Sequence, residues 1–335
     1  MHEERFSRQI RYAPFGPEGQ EHLAVATAVI VGCGALGTVA ATILARAGIG
    51  NLRLIDRDFV EESNLQRQVL YTEEDAANRM PKAEAARRHL LRANSGIVIE
   101  ACVTDLNPEN AADLLHADAI LDATDNFETR YLINDYSVRE SIPWIYGAAI
   151  GAYGIAMPVL PNDGPCFRCI YPDPPSGAQP TCETAGILGP VTSLIASIQA
   201  MEAIKILSGH RAAVRRKIFT ADLWTGPIRE ASQPDRSLDC PACAHREFAW
   251  LNGRRAPVSL CGRNAVQIHD RERPLDLVTL AKTLKGLGEV RVNEFALRFT
   301  DGAHEITAFP DGRAIIKGTT DVGLARSLYS RFIGN

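Results

Sequence analysis

Two hydrophobic periods take turns along residues 26 to 223. Short apolar runs alternate with stretches whose apolar positions recur every three or four residues. The first run, Val29-Ile30-Val31, ends at Gly32, and Ala40, Ile43, Leu44 and Ala47 then repeat at helical spacing. The alternation continues through a strand at Asn51–Ile55 and a helix opened by Pro81, with Ala85, Ala86, His89 and Leu90 on one face. It goes on through a strand at Ile97–Ile99, a helix at Pro108–Leu115, a strand at Ala119–Asp122, a helix at Phe127–Glu140 and a strand at Pro143–Ile150. Strands and helices in this order predict an α/β fold, a doubly wound and mostly parallel Rossmann-like sheet. Its ligands are expected at the carboxyl ends of the strands. Residues 3–24 are polar and rich in Arg and Glu, which predicts a solvated N-terminal helix.

The pattern changes after residue 153. Tyr153–Pro158 is expected to pair antiparallel with the strand before it. Residues 158–190 hold 8 of the chain's 19 prolines, so a long irregular loop is expected, of the kind that usually has a function. A helix begins at Gly189-Pro190. Val191, Leu194, Ile195, Ile198, Met201, Ile204 and Leu207 make it apolar around most of its circumference, so it is buried or forms a subunit contact. Lys217–Leu223 reads as a strand. Residues 248–335 read as a separate small α+β unit. They carry helical spacing over 275–285, strands near Val290, Ala296–Phe299 and Ile306–Phe309, a hairpin turn at Asp311-Gly312 and a last helix from Val322 to Phe332. The expected division is a first domain of residues 1–247 and a second of 248–335.

Composition adds limits. The chain has 335 residues, 46% hydrophobic and 23% charged, which is ordinary for a globular protein. A net charge of −4 makes no electrostatic case for a nucleic-acid or membrane partner. No uninterrupted apolar run approaches the roughly 20 residues that span a bilayer. The N-terminus has no apolar signal core. The expectation is therefore a cytoplasmic protein, where disulfides are rare. Eight cysteines then need another role. Cys166-Phe167-Arg168-Cys169 and Cys240-Pro241-Ala242-Cys243 are two paired-cysteine stretches with the spacing of a closed, structural zinc site. Cys33 and Cys102 sit in apolar stretches and read as inert core thiols.

The candidate chemistry gathers at the ligand edge. Gly32 permits a tight turn, Gly34 lets a phosphate approach the backbone, and Gly37 lets the helix pack close to the strand. Asp56 follows Gly37 by 19 residues, near the spacing at which an acidic residue takes a ribose hydroxyl. Asn64, Arg67, Lys82 and Asp125 fall in loops or helix starts at the same edge. The two cations suit a triphosphate, and Asp125 suits Mg²⁺. Singly, each charged residue also reads as a solvated surface side chain. A nicotinamide-dependent oxidoreductase would want a catalytic His, Tyr or Lys. None of the eight histidines falls in these stretches.

Taken in order, these motifs resemble the ThiF/MoeB/HesA-type adenylyltransferases, which are ubiquitin-activating-enzyme-like and activate small ubiquitin-fold sulfur carrier proteins. The resemblance covers residues 3–245. It rests on Arg5-Phe6-Ser7-Arg8-Gln9, the glycine turn, Asp56, Asn64-Leu65-Gln66-Arg67-Gln68, Pro81-Lys82, Asp122-Ala123-Thr124-Asp125-Asn126, the two cysteine pairs and Thr181-Cys182-Glu183-Thr184-Ala185-Gly186. It implies that Asp56 holds the ATP ribose, that Asn64, Arg67 and Lys82 bind the phosphates, and that Asp125 beside Asn126 coordinates Mg²⁺. Arg8 would reach the phosphates of the other subunit of a homodimer. Cys182 would be the reactive cysteine that some members carry. The substrate would be the C-terminal Gly-Gly of a ubiquitin-like carrier, in thiamine thiazole or molybdopterin synthesis. Overall resemblance favours the thiazole route. Ala35 and Phe6 stand where many members have Gly and Tyr. Some relatives continue into a rhodanese domain, but no rhodanese-like active-site loop is present here. Leu260-Cys261-Gly262-Arg263 holds the remaining candidate thiol, and the C-terminal unit is expected to bind the carrier or a sulfur donor, a cysteine desulfurase or a rhodanese. Two other classes compete: a nicotinamide-dependent oxidoreductase built on the same glycine turn, and a non-catalytic scaffold for a ubiquitin-like partner.

Overall fold

A computed structural model describes residues 3–174, 182–253, 265–269, 274–310 and 312–333. These fall into two compact units, one of residues 3–174 and 182–253, the other of the described residues from 265 onward.

In the first unit the chain runs α1 (Glu3–Ile10), α2 (Gly16–Val25), β1 (Thr27–Val31), α3 (Ala35–Ala47), β2 (Asn51–Ile55), α4 (Glu73–Ala77), α5 (Lys82–Ala93), β3 (Val98–Cys102), α6 (Ala111–Leu114), β4 (Ala119–Asp122), α7 (Phe127–Glu140), β5 (Trp144–Ile150) and β6 (Tyr153–Val159). Then come α8 (Phe167–Ile170), α9 (Cys182–Ala185), α10 (Gly189–Leu207), β7 (Lys217–Asp222) and β8 (Ile228–Ser232). The sheet order is β3-β2-β1-β4-β5-β6-β7-β8. Pairing is parallel from β3 to β5 and antiparallel from β5 to β8. This is the expected doubly wound α/β architecture.

Strand alternation sends apolar side chains to both faces. Ala28 and Ile30 join one core with α3, α5 and α10, while Val29 and Val31 join the other with Tyr131, Trp144 and Phe167. α10 is long and apolar enough to cross a membrane by length and composition alone. Here it serves as a core helix against α3, β5 and β6. Its acidic residue Glu202 is buried and paired with Lys205 at 2.7 Å and Arg215 at 3.3 Å.

Several boundaries differ from the sequence reading. The N-terminal helix is two helices, because Gly16 adopts a left-handed φ of +62° and α2 restarts with Pro17 at its first turn. α6 is four residues rather than Pro108–Leu115. The Asn107 side chain takes the N–H groups of Glu109 and Asn110, and Asn110 takes that of Asn107, which holds a turn in place of helix. Four elements of this unit had no sequence expectation: α4, the short α8 and α9 inside the expected loop, and the edge strand β8, whose five residues are all exposed. Residues 248–253 pack into the first unit, beyond the expected limit at 247. Trp250 stacks on Tyr131 at 5.0 Å, and its backbone N–H donates to Asp135 Oδ2 at 2.9 Å.

The second unit holds β9 (Ala265–His269), α11 (Leu277–Leu284), β10 (Glu289–Val292), β11 (Leu297–Thr300), β12 (Glu305–Ala308), β13 (Arg313–Lys317) and α12 (Val322–Phe332). Its antiparallel sheet has the order β10-β11-β12-β13-β9. Leu297, Phe299, Ile306 and Ile316 form its core with Leu277, Leu284, Ala325 and Leu328. Asp276 and Asp321 cap the two helices. Asp311 of the hairpin turn lies outside the described residues.

Candidate active site

Three chain exits meet at the carboxyl edge of β1, β2 and β4. The first is the glycine turn. Gly32 has a φ of +93°, and a Cβ on it would stand 2.6 Å from the Ala123 carbonyl oxygen. A Cβ on Gly37 would stand 1.9 Å from the Gly32 oxygen, so α3 crosses the turn at backbone distance. Gly34 faces open space instead: its nearest neighbour would be Gln68 Nε2 at 4.0 Å. That is room for a phosphate over the first turn of α3, where N–H groups and the helix dipole attract anions. Ala35 is the first helical residue, so the glycine many relatives have there is not required.

The second exit follows β2. Asp56 Oδ2 accepts from Cys33 N at 2.6 Å and its Oδ1 accepts from Asp58 N at 2.7 Å, tying this loop to the glycine turn. Burial pushes the Asp56 carboxyl above its ordinary pKa, and nearby Lys82 pulls it back. Lys82 is only 7% exposed. Its N–H donates to the Asp58 carbonyl at 2.8 Å, and its Nζ lies 3.3 Å from Asp58 Oδ2. Tyr71 braces both exits, with its hydroxyl 2.7 Å from the Cys33 carbonyl and 3.1 Å from that of Lys82. Asn64 is buried, and its Oδ1 accepts from Glu61 N at 3.1 Å. Arg67 is half-buried and donates to the Ser63 carbonyl at 2.8 Å. Gln68 is buried beside the turn, and its Oε1 has no partner among the described residues. An open glycine turn beside two cations and an unsatisfied buried amide fits a nucleoside triphosphate.

The third exit follows β4. Asp122 is fully buried and accepts from Thr124 N at 2.9 Å and Thr124 Oγ1 at 2.6 Å. Burial raises its pKa, while Arg130 and Thr124 oppose the rise. Asp125 is exposed, and carboxylate oxygen is the hard donor that Mg²⁺ takes. The Asn126 side chain caps α7, accepting from Thr129 N at 2.9 Å. Nearby Glu128 is pushed up to about 7 by burial and by Asp105, against Arg57.

Arg8 stands apart from this edge within its own chain. α1 packs at the far ends of α3 and α5: Phe6 lies against Gly48, and Arg5 donates to the Ala93 carbonyl at 3.3 Å. Cys182 begins α9, but its side chain, like Thr181 and the Leu260–Arg263 stretch with Cys261, lies outside the described residues.

The four paired cysteines converge. Cys166 immediately precedes α8, and Cys240 to Cys243 form a turn after β8. Their Sγ atoms all lie within 4.8 Å of one another, with contacts of 3.5 Å for Cys166 to Cys240 and 3.4 Å for Cys169 to Cys243. Tetrahedral Zn²⁺ with bonds of about 2.3 Å needs sulfurs roughly 3.8 Å apart, so the cluster fits zinc. Cys33 and Cys102 carry pKa values raised chiefly by burial, Cys102 to about 12, as unreactive thiols should.

Sequence reasoning missed Asp58, Tyr71, Arg130 and Gln199. Gln199 stands out in the sequence only as an amide amid the apolar positions of α10, with no mark of its partners. Arg130 sits one turn after Asn126 on a helix that buries Tyr131, Leu132 and Ile133.

The ThiF family pattern matches residues 6–242. The chain is 43% identical over 337 aligned residues to the sulfur carrier protein ThiS adenylyltransferase of Bacillus subtilis, covering 98% of this chain and 99% of that one. It is 37% identical over 264 residues to the adenylyltransferase and sulfurtransferase MOCS3 of Xenopus laevis, covering 78% of this chain and 57% of that one. Among solved structures, E. coli MccB with ATP superposes with a TM-score of 0.62 at 26% identity, over 71% of this chain and 74% of that one.

Proposed function

The chain belongs to the ThiF family, and on that premise we propose that it adenylates the C-terminal glycine carboxylate of a ubiquitin-like sulfur carrier protein at the expense of ATP. One observation carries the reading: a buried lysine held beside an open glycine turn, at the edge where the acid-bearing β4–α7 turn emerges.

The chemistry asks little proton transfer of the protein. An α-carboxyl has a pKa of about 3.3–3.7, so the carrier tail arrives ionised near pH 7. A carboxylate oxygen attacks the α-phosphorus, the bond to the bridging oxygen breaks, and pyrophosphate leaves with the electron pair. The task is to hold two anions together and to offset charge growing on the phosphates. Lys82 and Arg67 supply positive charge, Asn64 an amide, and the start of α3 its N–H groups. Asp56 takes the ribose. Asp125 and Asn126 stand at the metal position, where Mg²⁺ would add Lewis-acid charge to the phosphates. Arg8 acts on a neighbouring copy, which makes the working form a homodimer. Cys182 is the thiol that would receive the activated tail. Zinc at Cys166, Cys169, Cys240 and Cys243 is structural, because all four positions are filled by the chain. The cytoplasm would keep those thiols reduced. The relative of near-complete coverage favours thiamine thiazole synthesis over molybdopterin synthesis.

The test is ATP–pyrophosphate exchange with each Gly-Gly-ended carrier from the same cell. Exchange is expected with one carrier and should vanish when its last glycine is removed. Silence with every carrier would overturn the proposal.

A further inference from the structure

The turn bearing Asp125 is held from two sides by buried side chains that have no role in the proposed chemistry. From α10, Gln199 is fully buried, and its Nε2 donates to the Asp122 carbonyl at 2.7 Å and the Ile145 carbonyl at 3.0 Å. Both partners are acceptors, so the two amide hydrogens are committed. These carbonyls stand where the sheet splits, since β4 and β5 last pair at Leu121 and Ile145. A Cβ on Gly147 would lie 2.3–2.5 Å from the Gln199 amide atoms, so this glycine makes the insertion possible. The opposite oxygen, Gln199 Oε1, has no partner among the described residues. Leaving a buried acceptor unpaired is unfavourable, so what the amide contributes at this position is its two donated hydrogen bonds.

From α7, Arg130 Nη2 donates to the Thr124 carbonyl at 2.7 Å, and its Nε lies 3.4 Å from Asp122 Oδ2. The guanidinium lies 5.0 Å from the Phe127 ring and 5.2 Å from that of Tyr146. Asp122 and Thr124 are thereby fixed from both faces of the sheet, and Asp125 is the next residue. α10 also reaches the other phosphate loop, because a Cβ on Gly189 at its start would stand 3.3 Å from the Gln66 carbonyl.

We propose that Gln199 and Arg130 are positioning residues that aim Asp125 at the metal of a bound Mg–ATP, with α10 as the strut common to both phosphate loops. This rests on the assignment of Asp125 above. Partners that orient a metal-bearing carboxylate typically contribute about 10–100-fold to affinity.

The test is calorimetric binding of ATP to the full chain, with and without Mg²⁺, so that the readout is the gain in affinity on adding the metal. The wild type should show a gain, and Asp125→Asn should erase it. Gln199→Met should cut the gain about 10–100-fold while leaving affinity for metal-free ATP within about twofold. Arg130→Lys keeps a cation for Asp122 but loses the Thr124 contact, and should cut the gain by less. If Asp125→Asn erases the gain while folded Gln199→Met and Arg130→Lys keep it, the positioning proposal is overturned and the Asp125 assignment stands. If Asp125→Asn keeps the gain, both fall. Should Gln199→Met fail to fold, Arg130→Lys alone decides.

Discussion

Lys82→Ala is expected to lower carrier-dependent pyrophosphate exchange about 10²–10³-fold, the usual cost of removing one preorganised group aimed at developing charge. The effect should be large because Lys82 is almost fully buried and cannot be replaced by a mobile neighbour. Its backbone is fixed at the first residue of α5 by the Asp58 carbonyl, and its ammonium by the Asp58 carboxylate. Alanine also removes the cation that pulls the Asp56 carboxyl down, so burial would hold that group still higher. Lys82→Arg should not rescue, since a planar guanidinium does not fit the space of an ammonium packed this closely. The measurement is the exchange rate against ATP concentration, with thermal melting as a control for folding. A folded variant within tenfold of wild type would remove Lys82 from the phosphate site.

The second large effect concerns the cysteine cluster. Purified protein is expected to hold one zinc per chain, and Cys240→Ser or a strong chelator should remove it. Structural zinc sites can carry ~10–16 kcal/mol of apparent binding energy in small peptides. In a larger unit with its own core, a loss of about 5 kcal/mol would lower the melting temperature by roughly 10–20 °C. The core beside the cluster is aromatic, with Phe167 against Trp144 at 5.6 Å and Tyr131 at 5.4 Å. Loosening residues 166–170 should therefore expose Phe167, Trp144 and Tyr131 together. Metal analysis and calorimetry in parallel decide the matter: zinc-free protein with an unchanged melting temperature would refute a structural metal.

The parallel half of the sheet was legible because each strand is an apolar run and each helix a repeat, and Gly32 to Gly37 punctuate the first junction. Asp56, Lys82 and Asp125 were legible as candidates because strand ends are where such a sheet puts its ligands. β8 was not legible, since an exposed edge strand carries no alternation of burial. α6 was overextended because the Asn107 and Asn110 side chains outcompete the helix locally, which propensity and spacing do not reveal. Gln199 and Arg130 were hidden for a different reason. Their partners are backbone carbonyls, Asp122 being 77 residues from Gln199. Any residue type presents the same carbonyl, so nothing at position 122 or 145 advertises the contact.

The placement of α1 has a consequence for how activity depends on concentration. α3 is 13 residues, about 20 Å of helix, and α1 packs at its far end from the glycine turn. An arginine does not cover that distance, so with Arg8 assigned to a neighbouring copy no single chain carries a complete site. Specific activity would then fall on dilution, with a midpoint at the dissociation constant of the pair, and saturating ATP would oppose that fall by mass action. Nucleotide occupancy and self-association would be two readings of one equilibrium.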